Sequence, residues 1–298
     1  MPPRPTRALL STRDSLNAGP PVVAPGTAQY YRAVESAYGE MAPIYDSAVG
    51  MNPVAARAKA VAMGRLLRLT KPGSHLLDLG CGPGQEAVAL ARRGYRVLGI
   101  DSALPMVELA RQRALGLPAE LATFEHLRAA EVGSLARMGR SFDAAYSFFA
   151  VLNLEPDVRP VAEGLFGLLP ARAPFLVGLL NPVVLFELAL YPFAGRLKGF
   201  RKASKRPVRL KVSRGGTNEV ACFLYPPHQF ARICSPWFSL ERTESIHLFL
   251  PPPDSTMLRF PTLLRGVSRI ERRLEARWPF RSLGYFSLMT FRRREARL

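Results

Sequence analysis

His75-Leu-Leu-Asp-Leu-Gly-Cys-Gly-Pro-Gly-Gln-Glu86 runs from an apolar strand straight into three glycines at alternating positions, Gly80, Gly82 and Gly84. Leu76, Leu77 and Leu79 read as a strand buried on both faces, and Glu86-Ala-Val-Ala-Leu-Ala-Arg92 reads as the helix that follows. Strand, glycine loop and helix in that order let a backbone turn tightly beneath a bound nucleoside. A second strand, Tyr95-Arg-Val-Leu-Gly-Ile100, ends on Asp101, where a carboxylate can take the two hydroxyls of a ribose. The stretch therefore predicts a nucleoside-cofactor site in an α/β fold.

The spacing separates this loop from a dinucleotide fingerprint, whose third glycine falls three residues after the second and brings a helix N-terminus onto a pyrophosphate. Gln85 holds that position here, and the third glycine comes one residue early. Asp78, two residues before the loop, suits a cofactor with a cationic amino group better than one with a pyrophosphate. With Gly99-Ile-Asp-Ser-Ala-Leu-Pro-Met-Val-Glu-Leu-Ala-Arg111 after it, the passage resembles the class I S-adenosylmethionine-dependent methyltransferases of the small-molecule type.

That resemblance implies a doubly wound, seven-stranded, mostly parallel α/β sheet of the Rossmann-like methyltransferase fold, carrying two cap insertions. It implies S-adenosylmethionine as cofactor, held by Asp78, Gly80, Cys81, Gly82, Gly84, Asp101, Ser102 and Met106, with Ser147 at a later strand end. The family places an acid just after its third strand to accept from the adenine amino group. In Ala122-Thr-Phe-Glu-His-Leu127 that position holds Thr123, and Phe124 and Glu125 follow, so a backbone carbonyl or Glu125 stands in for the acid.

Composition fits one large α/β domain with insertions: 298 residues of which 48% are apolar suffice for a sizeable core. Cys81, Cys222 and Cys234 are too few and too scattered for a disulfide framework or a zinc site, and His75, His126, His228 and His247 lack ligand spacing. No metal and a reducing, cytoplasmic setting are expected. The formal net charge of +18 invites a polyanionic partner, but 35 of the 41 basic residues are arginine, a skew that a GC-rich genome produces by itself. The local cluster Arg196, Lys198, Arg201, Lys202, Lys205, Arg206, Arg209 and Lys211, with no acid among them, is less easily explained. It predicts weak association with an anionic membrane surface beside the apolar run Val183–Tyr191, with nucleic acid the less favoured partner.

Residues 1–28 read as a disordered tail, with five prolines among the first twenty-one residues and no apolar run long enough for a signal-peptide core. Residues 29–298 read as the methyltransferase domain, opening with cap helices over 29–70. Tyr30, Tyr31, Val34, Ala37, Tyr38 and Met41 recur at helical spacing before Pro43-Ile-Tyr-Asp46, whose tyrosine resembles one that helps close the family's cofactor pocket. Asn52 before Pro53 reads as an N-cap, and Ser102 as the cap of a helix reaching Ala114.

Strands are expected over 120–124, 142–153, 174–180, 238–244 and 285–291, the last antiparallel by resemblance. In doubly wound folds the ligand sits beyond the carboxyl ends of the strands at the switch point, which puts Phe148, Phe149 and Asn153 on the floor of an acceptor pocket. Asn153 is the candidate for orienting the acceptor, while His126, Glu155, Tyr225 and His228 leave the general base unassigned. Insertions over 181–224 and 246–281 are expected to form a substrate lid; the second holds Leu250-Pro-Pro-Pro253 and a helix with Leu263, Leu264, Val267, Ile270, Leu274 and Trp278 along one face. The reading is methyl transfer to a small hydrophobic metabolite, by O- or C-methylation. An RNA methyltransferase and a non-catalytic S-adenosylmethionine-binding protein are the alternatives.

Overall fold

The structure, a computed structural model, describes residues 16–17, 23–46, 53–190, 208–212, 219–249 and 261–295. In chain order its strands and helices are β1 (Leu16–Asn17), α1 (Ala28–Met41), α2 (Pro53–Leu69), β2 (His75–Leu79), α3 (Gln85–Ala91), β3 (Arg96–Asp101), α4 (Leu104–Arg113), β4 (Ala122–His126), α5 (Ser134–Arg137), β5 (Ala144–Ser147), α6 (Arg159–Leu168), β6 (Pro174–Leu180), α7 (Leu185–Leu190), β7 (Val208–Lys211), β8 (Glu219–Cys222), α8 (Pro227–Cys234), β9 (Phe238–Ile246), α9 (Pro261–Leu274) and β10 (Phe286–Arg293).

The main sheet has seven strands in the order β4-β3-β2-β5-β6-β10-β9. β2 to β6 pair in parallel, and β10 runs antiparallel to both of its neighbours. Every residue of β5 and β6 is buried, which explains the absence of charge from both and the apolar run of β6: helices cover both faces. On one face Leu66 of α2, Val88 and Leu90 of α3 and Val107 of α4 pack together, and on the other Leu135 of α5, Leu165 of α6 and Phe230 of α8. Chain order reverses between β2 and β5, and a crevice opens above their carboxyl ends.

Several boundaries differ from the sequence reading. The strand expected over 142–153 stops at Ser147, because Phe149 and Ala150 take left-handed φ angles of 59° and 65° and Val151–Leu154 then winds into a 3-10 turn. The strand expected over 120–124 instead covers Ala122–His126. Ser102 does not cap α4, whose N-cap is Ala103; the Asp101 carboxylate accepts the Ala103 N–H instead, at 2.9 Å. Asn52 lies outside the described residues.

The expected disordered tail is also revised in part. Leu16 and Asn17 pair antiparallel with Leu210 and Arg209 of β7, because the edge of β7 offers unpaired backbone groups, and β1, β7 and β8 form a small second sheet. Of the basic cluster only its last residues, in β7, are described; 196–207 lie outside. Helix α1 begins at Thr27, whose hydroxyl accepts from the Tyr30 N–H at 3.2 Å. The Tyr30 hydroxyl donates to the carbonyls of Leu154 at 2.6 Å and Ala221 at 3.0 Å, which fastens α1 across the strand ends. Among the described residues no helix is long and apolar enough to cross a membrane.

Candidate active site

The glycine loop leaves β2 with left-handed backbone at Gly80 and Gly82, φ 73° and 51°. At Gly80 a Cβ would come within 2.4 Å of Val151, the first residue of the 3-10 turn after β5, so only glycine lets that turn close onto the loop. At Gly82 a Cβ would meet nothing within 4 Å, and its backbone faces an open cleft. The Gly82 N–H donates to Asp101 Oδ2 at 2.8 Å, and Asp101 Oδ1 takes the Ala103 N–H. The Ser102 N–H also bonds this carboxylate, which still keeps acceptor capacity for an outside donor.

The cleft lies above this loop. Its lining includes Asp78, Gly80, Cys81 and Gly82, then Asp101, Ser102 and Met106 from the end of β3 and the start of α4. Phe148 and Phe149 come from beyond β5, Tyr31, Val34 and Tyr38 from α1, and Tyr45 from the segment after it. The structure thus brings together most of the predicted residues. It adds Lys59 of α2, Glu86 of α3, Leu127, Arg128 and Ala129 beyond β4, and Val151 and Leu154 beyond β5, where Glu155, one of the candidate bases, also faces the cleft. The pairing of Asp101 with His126 in register could have located the β4 group, since the wall begins one residue past that pair.

Acid dominates the charge in this wall. Asp78, Glu86, Asp101 and Glu155 face the cleft with Lys59 and Arg128, and Lys59 is paired with Glu86 at 2.7 Å. Burial, then the Glu86 charge, pushes the Asp78 carboxyl well above its usual range. Asp101 is raised by burial and partly held back by the Ala103 and Gly82 N–H groups. Burial pushes Glu155 up to about 7, against the pull of the Tyr31 hydroxyl, which donates to its Oε2 at 3.0 Å, and of the Ala130 N–H. Carboxyls held this way gain most from a cationic ligand, and the aromatic residues Tyr38, Tyr45 and Phe148 add wall suited to an onium centre.

A methyltransferase-domain family model matches residues 76–170, from β2 to just past α6. Over 172 residues the chain is 31% identical to a ubiquinone biosynthesis O-methyltransferase of Xanthomonas campestris pv. campestris, covering 54% of this chain and 70% of that protein. This chain belongs to the class I S-adenosylmethionine-dependent methyltransferases. A shorter match, 52% identical over 52 residues, is to an uncharacterized 37.1 kDa protein in a transposon of Streptomyces fradiae; it covers 16% of this chain and 15% of that protein. Among solved structures, the DhpI complex with S-adenosylhomocysteine superposes with a TM-score of 0.57 at 15% identity, covering 91% of this chain and 100% of that one, and so shares the fold.

The methyltransferase's own residues fit its cofactor. The open backbone at Gly82 lets a ligand press on the loop, Asp101 has acceptor capacity for ribose hydroxyls, and the acidic wall suits an ammonium and a sulfonium.

Six sequence expectations are placed elsewhere. Gly84 is the left-handed N-cap of α3 and is not part of the cleft lining. Thr123 is exposed, Phe124 is buried behind the loop, and Glu125 reaches Arg140 at 3.5 Å. None of the three lines the cleft, because β4 runs on to His126 and the wall starts beyond it. The Ser147 hydroxyl is fully buried and donates to the Leu79 carbonyl at 3.0 Å, tying β5 to the end of β2. Asn153 is also fully buried: its Nδ2 donates to the Phe223 carbonyl at 2.6 Å and its Oδ1 accepts the Leu180 N–H at 2.9 Å. With no exposed surface, both ends engaged on backbone and no place in the cleft lining, it does not reach an acceptor. Of the candidate bases, His126 and His228 are exposed, Tyr225 donates to the Glu155 carbonyl at 2.7 Å outside the lining, and Glu155 alone faces the cleft.

Proposed function

We propose that this methyltransferase acts on a small, hydrophobic acceptor, methylating an oxygen or a carbon. The observation that carries the reading is the aromatic wall, in which Tyr31 and Tyr38 of α1 and Tyr45 stand in the same cleft as Phe148 and Phe149. Such a wall excludes water and favours a flat or apolar acceptor. The likeness to an enzyme named for ubiquinone biosynthesis supports the same class.

When bound, S-adenosylmethionine supplies a methyl group on a sulfonium, which needs alignment more than activation. Asp101 would hold the ribose hydroxyls, and the open backbone at Gly82 would lie against the cofactor. Val151, seated on Gly80, fixes the approach of the Phe148–Phe149 segment to that loop. Glu155 with Tyr31 is the pair that can hold a proton taken from a hydroxyl acceptor, because its carboxyl titrates near neutral pH. S-adenosylmethionine with an isotopically labelled methyl, incubated with the protein and an extract and followed by mass spectrometry, tests the reading. Label in a small lipophilic product is expected; label in RNA would replace the acceptor class, and no transfer at all would leave only cofactor binding.

A further inference from the structure

Helix α9 is packed in an unusual sense. An amphipathic helix on a globular protein ordinarily buries its apolar stripe and exposes its charges. Among the described side chains of α9 the fully buried one is an acid, Glu271, which accepts from Arg57 of α2 at 3.0 Å and from the Phe249 N–H at 2.8 Å. One turn on, Glu275 is half-buried, and its carbonyl accepts the Ser245 N–H of β9 at 2.7 Å. This end of the chain is thus held to α2 by the Glu271 carboxylate and to β9 by backbone. Of the apolar stripe, the described members are left at the side, with Val267 and Leu274 half-buried, Ile270 55% exposed and Trp278, just past the helix, 79% exposed.

Charge is sorted across the same helix. The helix's acid, Glu271, is buried and Glu275 just past its end is half-buried, while Arg269, Arg272 and Arg273 of the helix and Arg277 after it are all exposed. An exposed isoleucine or tryptophan standing alone needs no explanation. Here the two stand within eight residues of each other on a surface that is otherwise arginine, with no acid facing outward on this helix. Tryptophan with arginine beside a partly exposed apolar stripe is the composition of a surface that lies in a lipid headgroup layer: the ring and the isoleucine enter the acyl boundary while the guanidinium groups meet lipid phosphates.

We propose that the outer face of α9, from Arg269 to Trp278, docks this methyltransferase on an anionic lipid surface. The lipid is the occupant that the charge favours, since a neutral partner would leave the arginines without counter-charges. α9 is braced by Arg57 on α2, the helix that also sends Lys59 into the cleft, so docking brings the cleft's own framework to the membrane. The role in delivering a lipophilic acceptor rests on the function proposed above; the docking itself is tested without acceptor or cofactor.

The test is co-sedimentation of the full chain with vesicles of phosphatidylcholine containing one-quarter phosphatidylglycerol, against vesicles of phosphatidylcholine alone. The parent should bind the anionic vesicles and not the neutral ones. Ile270→Ser with Trp278→Ser should weaken that binding by about tenfold or more, and so should Arg269→Gln with Arg273→Gln and Arg277→Gln. All these side chains are exposed, so thermal transitions should match the parent's. In a Trp237→Phe background Trp278 is the sole tryptophan, and its emission should shift to the blue on anionic vesicles. No binding by the parent, or equal binding to neutral vesicles, overturns the proposal. Equal binding by the Ile270/Trp278 variant with no emission shift also overturns it, because general attraction of a basic protein would then account for everything.

Discussion

The two central glycines of the loop ask different things of their positions, and substitution separates them. Gly80→Ala places a methyl 2.4 Å from the stiff, β-branched Val151 at a φ of 73°, so the fold itself must give way. A cost of about 2–4 kcal/mol is expected from overpacking and left-handed strain together. Gly82→Ala has the strain without the clash, so stability should fall by only about 1–2 kcal/mol. Its methyl, however, would stand in the cleft proposed for the cofactor, and affinity for S-adenosylhomocysteine should drop at least about tenfold. Chemical denaturation and calorimetry on both variants measure the contrast; equal cofactor affinity in Gly82→Ala and the parent would remove Gly82 from the site. Glu155 offers a second test at this scale. Its carboxyl, pushed up to about 7 from 4.5, holds a proton more tightly in the fold than in the unfolded chain. The folded state therefore binds more protons across that window, and the contribution is complete below about pH 4.5 and lost as pH rises through about 7. Glu155→Gln cannot titrate, and its carbonyl still accepts the Tyr31 hydroxyl. Between pH 5 and 8 its stability should improve relative to the parent's by up to about 3 kcal/mol. Denaturant midpoints read this directly, and a gap that does not change with pH rules out the raised carboxyl.

At the scale of elements, the 3-10 turn Val151–Leu154 joins the two halves of the site: Val151 sits on Gly80, Leu154 takes the Tyr30 hydroxyl of α1, and Asn153 ties the turn to β6 and to the segment after β8. Asn153→Ala leaves the Leu180 N–H and the Phe223 carbonyl without their side-chain partner in a buried setting, so about 2–4 kcal/mol of stability should be lost. The melting temperature should fall by several degrees, and turnover on an identified acceptor should fall only as far as the folded fraction does; a loss of turnover at unchanged stability would restore Asn153 to an acceptor role. This turn also marks where sequence reasoning stopped. The β2 loop and the end of β3 were legible because they are local: strand, glycines and Asp101 follow one another along the chain, and their chemistry is read without knowing what packs on them. Phe149 and Ala150 in left-handed backbone carry no glycine or asparagine to announce them, so the strand before them looked six residues longer at that end than it is. Lys59, Glu86 and Arg128 lie on three separate elements and meet only in the fold. An arginine or lysine among so many basic residues gives no signal of its own.

Across the whole molecule, the cleft draws on α1, α2, the loops after β2 and β5, and the ends of β3 and β4, so a ligand that fills it reinforces contacts among most of the elements above the sheet. A ligand bound only by the native state adds stability as the logarithm of its concentration over its dissociation constant, about 2.7 kcal/mol at a hundredfold excess. For a chain of this size each kcal/mol moves the transition by roughly 2–4 °C, so S-adenosylhomocysteine at that excess should raise Tm by about 5–10 °C. NAD should not. Its pyrophosphate would meet Gln85 where a dinucleotide loop has its third glycine, and it would bring two negative charges to a wall already holding Asp78, Glu86, Asp101 and Glu155. Thermal melts with each ligand, on the parent and on Gly82→Ala, make the comparison in one experiment. Protection of the parent by S-adenosylhomocysteine that disappears in Gly82→Ala is the expected pattern; equal protection by NAD would mean that the acidic wall does not govern what the loop accepts.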